Sequence, residues 1–357
     1  MHKRLFIPGP TETPPEILQA QTKWLIGHRS AEYTALYDSV LTQLRKFFET
    51  KQHLTVLTSS GTLWMDITAR SIVKKKALAV TCGAFSNRMF STIKDAGKDV
   101  DQLDIEWGKA AKPEDVLEAL SKGDYDTVTV VANETSTGVR TPVYEIGEAI
   151  KKEYPDVMYV IDAVSSLGGD LLYPDKIKSD VIFTSTQKAF ALPPGLSIGI
   201  FSEDAVTRAR SVDARGHYTD LIAYHDYYLK KKQNPATPNV SLMFALDYQL
   251  GRMLEETHVG RYERHLAMAD LTRKWAKKHF EMFPEPGYES VTVSTINNTL
   301  GRSIGDLNKE LAKRGYQISN GYGTKLKEIT FRIGHMGEWN PTEVQSLLWH
   351  IEDIWGL

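Results

Sequence analysis

Apolar and polar positions change rhythm along the chain. Residues 1–15 carry four prolines and no helical period, and read as an extended arm. "EILQAQTKWLIG" and "YTALYDSVLTQLRKFFE" then repeat apolar positions at helical spacing. From "LTVLTSSG" near residue 55 to "LSIGIF" near residue 201, short apolar runs alternate with amphipathic ones. "ALAVTCG", "DTVTVVAN", "VMYVIDAV", "DVIFTS" and "LSIGIF" read as buried strands; "SNRMFSTIKDAG", "PEDVLEALSKG" and "PVYEIGEAIKKEY" read as helices. This alternation predicts an α/β fold whose mainly parallel sheet is covered on both faces. A long helical stretch follows from about Ser241 to Lys278, and then "VTVSTIN", the helix "IGDLNKELAKRG", the strand "KEITFRIG" and a last helix from "PTEVQSLLWHIEDIW". The expected division is an arm over 1–15, a large domain over 16–250 and a small C-terminal α+β domain over 251–357, parted within a long helix. The 357 residues suit two domains, being more than one core usually serves.

Composition narrows the function classes. With 41% hydrophobic and 25% charged residues the chain is an ordinary globular one, and its net charge of −2 makes no electrostatic case for nucleic acid or an anionic membrane. The runs Lys74–Lys76 and Lys230–Lys232 read as solvated ends of elements. The single cysteine, Cys82, permits no intrachain disulfide and suits a reducing compartment; it reads as a small core residue. No apolar stretch approaches the ~20 residues that span a bilayer, and "MHKRLFIPGPTETPP" has no signal-peptide core, so a cytoplasmic location is expected.

Candidate chemistry lies after the strands, because open parallel sheets bind ligands beyond their carboxyl ends. "TSTQKAFALPPG" sets Lys188 in a short link between two buried strands. Desolvation there disfavours the ammonium and favours a nucleophilic amine, although a lysine with a packed stem and a wet head fits the same pattern. Ser59-Ser60-Gly61-Thr62 before a helical run suits a phosphate cradle or a plain N-cap. Phe85 after "ALAVT" is core or a stacking face, and the segment from Glu134 to Gly138 is polar and small, as a solvated loop would be. Asp162 ends a buried strand, where a carboxylate is costly unless paired. An amine, an aspartate, a phosphate cradle and an aromatic on one sheet edge together suit pyridoxal phosphate.

On "PGPTETPP", "GHRS", "SSGT", "GAF", "NETSTGV", "IDAVSSLGG", "STQKAFALPPG", "ATPNVSL" and "FRIGHMG", in this order from residue 8 to residue 337, the chain resembles the class V (fold-type I) aminotransferases. Within them it is similar to the alanine–glyoxylate and serine–pyruvate group. The resemblance implies a seven-stranded-type sheet in the large domain, pyridoxal 5'-phosphate as cofactor and a homodimer with shared active sites. It implies that Lys188 is the Schiff-base lysine and proton shuttle and that Asp162 pairs with the pyridine nitrogen. Phe85 and Val164 would flank the ring; Ser60, Gly61, Thr62 and Gln187 would hold the phosphate; Thr135 would lie near the ring hydroxyl. Thr237 would reach the phosphate of the neighbouring subunit's cofactor, and Arg332 would bind the substrate α-carboxylate by a two-point contact. "STQK" stands where relatives commonly have "GSQK". The expected reaction is ping-pong transamination of alanine or serine with glyoxylate or pyruvate.

Three other readings stay open at this point. Phosphoserine transamination on the same fold would need a further anion site, which His28 and Arg29 could supply; seating the N-terminal arm is an equal role for them. Cysteine desulfuration would need a mobile thiol in the C-terminal part, and Cys82 lies elsewhere. A non-catalytic, cofactor-binding accessory subunit would not need Lys188, Asp162 and Arg332 together.

Overall fold

Aliphatic and β-branched residues on both faces of a strand force it into the middle of a layered fold, and four strands of the largest sheet are buried at every position. The computed structural model describes residues 2–357. Its strands are β1 (Arg4–Phe6), β2 (His53–Leu57), β3 (Lys76–Thr81), β4 (Asp99–Asp104), β5 (Thr127–Val131), β6 (Asn133–Glu134), β7 (Val139–Arg140), β8 (Met158–Asp162), β9 (Val181–Ser185), β10 (Ser197–Phe201), β11 (Glu281–Met282), β12 (Val293–Asn297), β13 (Tyr316–Asn320) and β14 (Thr330–Gly334). Seven of them form one sheet in the order β2-β10-β9-β8-β5-β3-β4. All its pairings are parallel except those of β10, which runs antiparallel to both β2 and β9. The reason is local. The link from β9 to β10 is too short for a crossover helix, so the chain turns back beside itself, and that turn carries Lys188.

Helices cover both faces. One face packs on the helices Ala31–Phe48 and Val240–Glu256, through Tyr37, Leu44, Leu246 and Met253 among others. The other packs on Trp64, Met89 and Val206. Trp64 lies so close to β10 that a Cβ on Gly199 would sit 1.9 Å from its ring, so this position accepts only glycine.

The smaller sheet has the order β1-β13-β14-β12-β11 and encloses its own core of Phe6, Phe331, Leu348 and Trp355. The expected arm thus contributes an edge strand, pairing Arg4 with Tyr316 in parallel. Two local expectations fail, and one strand was not foreseen. "EILQAQTKWLIG" is helical only over Pro15–Ala20; Ile17 is buried in the main core, but Trp24 and Leu25 are 95% and 71% exposed, so those two apolar positions meet no core. The stretch from Ser241 to Lys278 is two helices, Val240–Glu256 and His258–His279, because Thr257 adopts φ 69° and its side chain caps the second. The division drawn between residues 250 and 251 falls inside the first of these. "DVDQLD" forms β4, a half-exposed edge strand whose aspartates hid its β pattern. Among the described residues, no helix is long and apolar enough to cross a membrane.

Candidate active site

The carboxyl ends of β2, β3, β5, β8 and β9 meet at one edge, and the residues following them enclose a cavity of about 320 Å³. Ser60, Gly61, Thr62, Phe85, Thr135, Asp162, Val164, Gln187 and Lys188 all line it, so the sequence-predicted set converges there with two exceptions. Arg332 donates from Nη1 to the Thr135 carbonyl at 3.1 Å and from Nε to the Asn320 carbonyl at 3.1 Å, which holds it next to that wall. Thr237 is exposed and does not line the cavity of its own chain.

Electrostatics mark the same place. Asp162, 3% exposed, accepts from the Val164 N–H at 2.9 Å and forms no ion pair among the described residues. Burial pushes its carboxyl up to about 7, with the neighbouring Glu134 charge adding to the rise. Burial, reinforced by Arg332, pulls the Lys188 amine down to about 8. Its Nζ donates to the Pro8 carbonyl of the arm, and Thr11 ties the same turn by its N–H to the Gln187 carbonyl at 3.0 Å and by its hydroxyl to the Lys188 carbonyl at 3.0 Å. Gly9 is required beside the amine: its φ is +121° and a Cβ would lie 2.5 Å from Nζ. Burial also lowers Arg332 to about 10.

These residues fit pyridoxal phosphate on their own geometry. An uncompensated buried carboxylate calls for a cationic partner, which a protonated ring nitrogen supplies. The Leu63 and Trp64 N–H groups turn back to the Ser60 and Gly61 carbonyls, leaving those of Gly61 and Thr62 without a backbone acceptor. Ser185 Oγ and Gln187 Oε1 are buried without partners, as polar atoms awaiting a ligand are. A Cβ on Gly61 would meet Val164 Cγ2 at 2.4 Å, so the turn and the ring-flanking valine pack without room for a side chain.

Several residues escaped the sequence reading. Glu134 is fully buried rather than part of a solvated loop. Its carboxylate accepts from the Phe85, Ser86 and Ser136 N–H groups and from the Ser86 and Ser136 hydroxyls at 2.6–3.2 Å. It thereby caps the helix Ala84–Asp95, which begins two residues earlier than expected and carries Phe85 in its first turn. Arg88, three residues after Phe85, also lines the cavity; this helical spacing was the available signal. Tyr322 meets Phe85 at 5.0 Å between ring centroids. Arg29 spends its guanidinium on the carbonyls of Asn234 and Pro235, the latter at 2.6 Å, and stacks over Tyr227. Cys82 is buried, which pushes its thiol up, and it does not line the cavity.

A larger cavity of about 540 Å³ opens beside Tyr144 and Tyr288. Its two cations are already paired, Arg140 with Asp170 at 2.7 Å and Lys112 with Glu285 at 2.7 Å, and its other charges, Glu114 and Glu145, are exposed, so the smaller cavity is the better candidate.

The family model for aminotransferase class-V matches residues 4–329. An uncharacterised aminotransferase of Methanocaldococcus jannaschii is 40% identical over 98% of this chain and 92% of its own length. The serine–glyoxylate aminotransferase of Methylorubrum extorquens is 30% identical, covering 94% and 87%. Among solved structures, the alanine–glyoxylate aminotransferase from Nostoc sp. superposes with a TM-score of 0.93 at 23% identity over 99% and 96% of the two chains, a likeness of fold. A family match over most of the chain and a relative 40% identical over nearly all of it lead to one conclusion: the chain belongs to the class-V aminotransferases.

Proposed function

We propose that this enzyme uses pyridoxal phosphate to move the amino group of a small amino acid, alanine or serine, onto a short 2-oxo acid such as glyoxylate or pyruvate, in two half-reactions at one site. One observation carries the reading: a lysine with a depressed pKa and a buried, unpaired aspartate line the same cavity as a turn with free N–H groups. When bound, the cofactor supplies an electrophilic carbonyl and an electron-accepting ring. Ser60, Gly61, Thr62 and Gln187 would hold its phosphate. Asp162 would keep a proton on the ring nitrogen, Phe85 and Val164 would flank the ring, and Thr135 would serve the ring hydroxyl. Arg332 takes the substrate α-carboxylate through its planar fork and so orients the Cα–H bond. Lys188 Nζ then removes the Cα proton as a neutral amine, which its lowered pKa favours near neutrality. In the second half-reaction the same amine returns a proton to Cα of the new amino acid, so kinetics are ping-pong.

We further infer a cytoplasmic homodimer with shared sites, in which Thr237 of one chain approaches the phosphate held by the other. The exposure of Thr237, Trp24 and Leu25 supports this assembly. The phosphoserine reading would need His28 and Arg29 as an anion site, and the engagement of the Arg29 guanidinium by backbone carbonyls weighs against the arginine half of it.

The test mixes cofactor-loaded protein with a panel of amino acids and follows the cofactor's visible absorbance. Alanine and serine should bleach it, and glyoxylate or pyruvate should restore it. A spectrum unmoved by every amino acid overturns the proposal.

A further inference from the structure

The cavity holds a cation that the reaction just described does not use. Arg88 lines the cavity, exposed at its mouth, and enters no ion pair among the described residues. Its only hydrogen-bond partner is neutral, the Tyr322 hydroxyl at 3.2 Å from Nη2. The cofactor phosphate has the turn at Ser60–Thr62 and the substrate α-carboxylate has Arg332, so neither anion is left for Arg88.

Its position is fixed from three directions. Glu134 anchors the first turn of its helix. The guanidinium lies over the Phe85 ring, 5.0 Å from the centroid. Tyr322 spans the gap to the substrate arginine, for its hydroxyl meets Arg88 while its ring faces the Arg332 guanidinium at 5.3 Å. One tyrosine therefore touches both guanidinium groups, Arg88 through its hydroxyl and Arg332 through its ring. The field of Arg88 also reaches the reacting groups: it favours the charged form of Asp162 and the neutral form of Lys188.

We propose that Arg88 is a second carboxylate subsite: it takes the side-chain carboxylate of aspartate or glutamate, or the far carboxylate of the corresponding 2-oxo acid, while Arg332 holds the α-carboxylate. This rests on the aminotransfer reading and extends its substrates to dicarboxylic acids. A planar fork stacked on an aromatic ring is preorganised for a bidentate carboxylate, and the tyrosine hydroxyl it releases is a weak neutral partner. Alanine leaves the subsite to water; an acidic substrate fills it.

The experiment compares wild type, Arg88→Gln and Arg88→Lys as cofactor-loaded enzymes. Each is assayed with aspartate, glutamate, alanine and phosphoserine, and titrated with maleate, a dicarboxylate that cannot transaminate, through its shift of the cofactor absorbance. Arg88→Gln should lower the kcat/KM ratio of aspartate to alanine at least tenfold and weaken maleate binding by a similar factor. Arg88→Lys, which keeps the charge and loses the fork, should fall between. An unchanged ratio together with unchanged maleate affinity overturns the subsite. A tenfold wild-type preference for phosphoserine over aspartate, erased by Arg88→Gln, overturns the choice of a carboxylate. If no amino acid reacts with wild type, the aminotransfer reading fails instead, while the maleate titration still decides whether Arg88 binds a second carboxylate.

Discussion

At the scale of single residues, the site depends on two groups held away from their ordinary protonation. Lys188→Ala should leave the fold intact and abolish amino transfer, because in the proposed reaction one amine serves both as cofactor anchor and as proton carrier. Borohydride treatment of the loaded wild type should attach the cofactor to Lys188, and peptide mapping that finds the label on another lysine would contradict the assignment. Asp162 yields a prediction about stability. Its folded-state pKa of about 7 lies above the ordinary 3.8, so the cofactor-free fold keeps a proton that the unfolded chain has released. The stabilising contribution is therefore full below about pH 4 and is lost as pH rises through about 7. Asp162→Asn should accordingly melt higher than wild type at pH 8 without cofactor, and the advantage should vanish at pH 4, as thermal scans at the two values would reveal. Lys188 works with the opposite sign. Depressed to about 8 from 10.5, it contributes above the ordinary value and loses that contribution as pH falls through about 8.

At the scale of elements, the helix Ala84–Asp95 depends on a carboxylate from another segment. Glu134→Gln replaces an acceptor of five N–H and O–H groups by an amide that must point two of its own donors at them. Urea unfolding should register a loss of about 1–3 kcal/mol, the usual cost of buried polar groups left unsatisfied, and cofactor affinity should fall as Phe85 loses its seat. The sequence made the strands that carry the site legible, because β5, β8, β9 and β10 are apolar on both faces and the residues after them are small or polar. Lys188, Asp162 and the Ser60–Thr62 turn were found that way. Glu134 was not, since a polar run after a strand gives no local sign of whether it faces water or a helix end. Arg88 and Tyr322 escaped because they meet across 234 positions of chain, and only the packed fold joins them. The helix expected over "EILQAQTKWLIG" failed for the converse reason: spacing reports an amphipathic face, and burial requires something for that face to meet.

At the scale of the whole molecule, the inferred dimer is open to a complementation test. Thr237→Asp should weaken cofactor binding at least tenfold by repelling the phosphate held by the other chain. Mixing inactive Lys188→Ala with Thr237→Asp and allowing subunits to exchange should restore activity, since the mixed dimer then contains one site free of both changes. No recovery, with exchange verified by sedimentation of tagged chains, would mean that each chain completes its own site. The arm has a consequence of another kind, in the order in which the polypeptide is made. β1 pairs Arg4 with Tyr316 and Phe6 with Ile318, so this strand must wait for a partner synthesised long after it. The central sheet, complete by Phe201, can form while synthesis continues. The arm that brings Pro8 to the Lys188 amine is anchored through β13, so this contact is secured only after β13 has emerged.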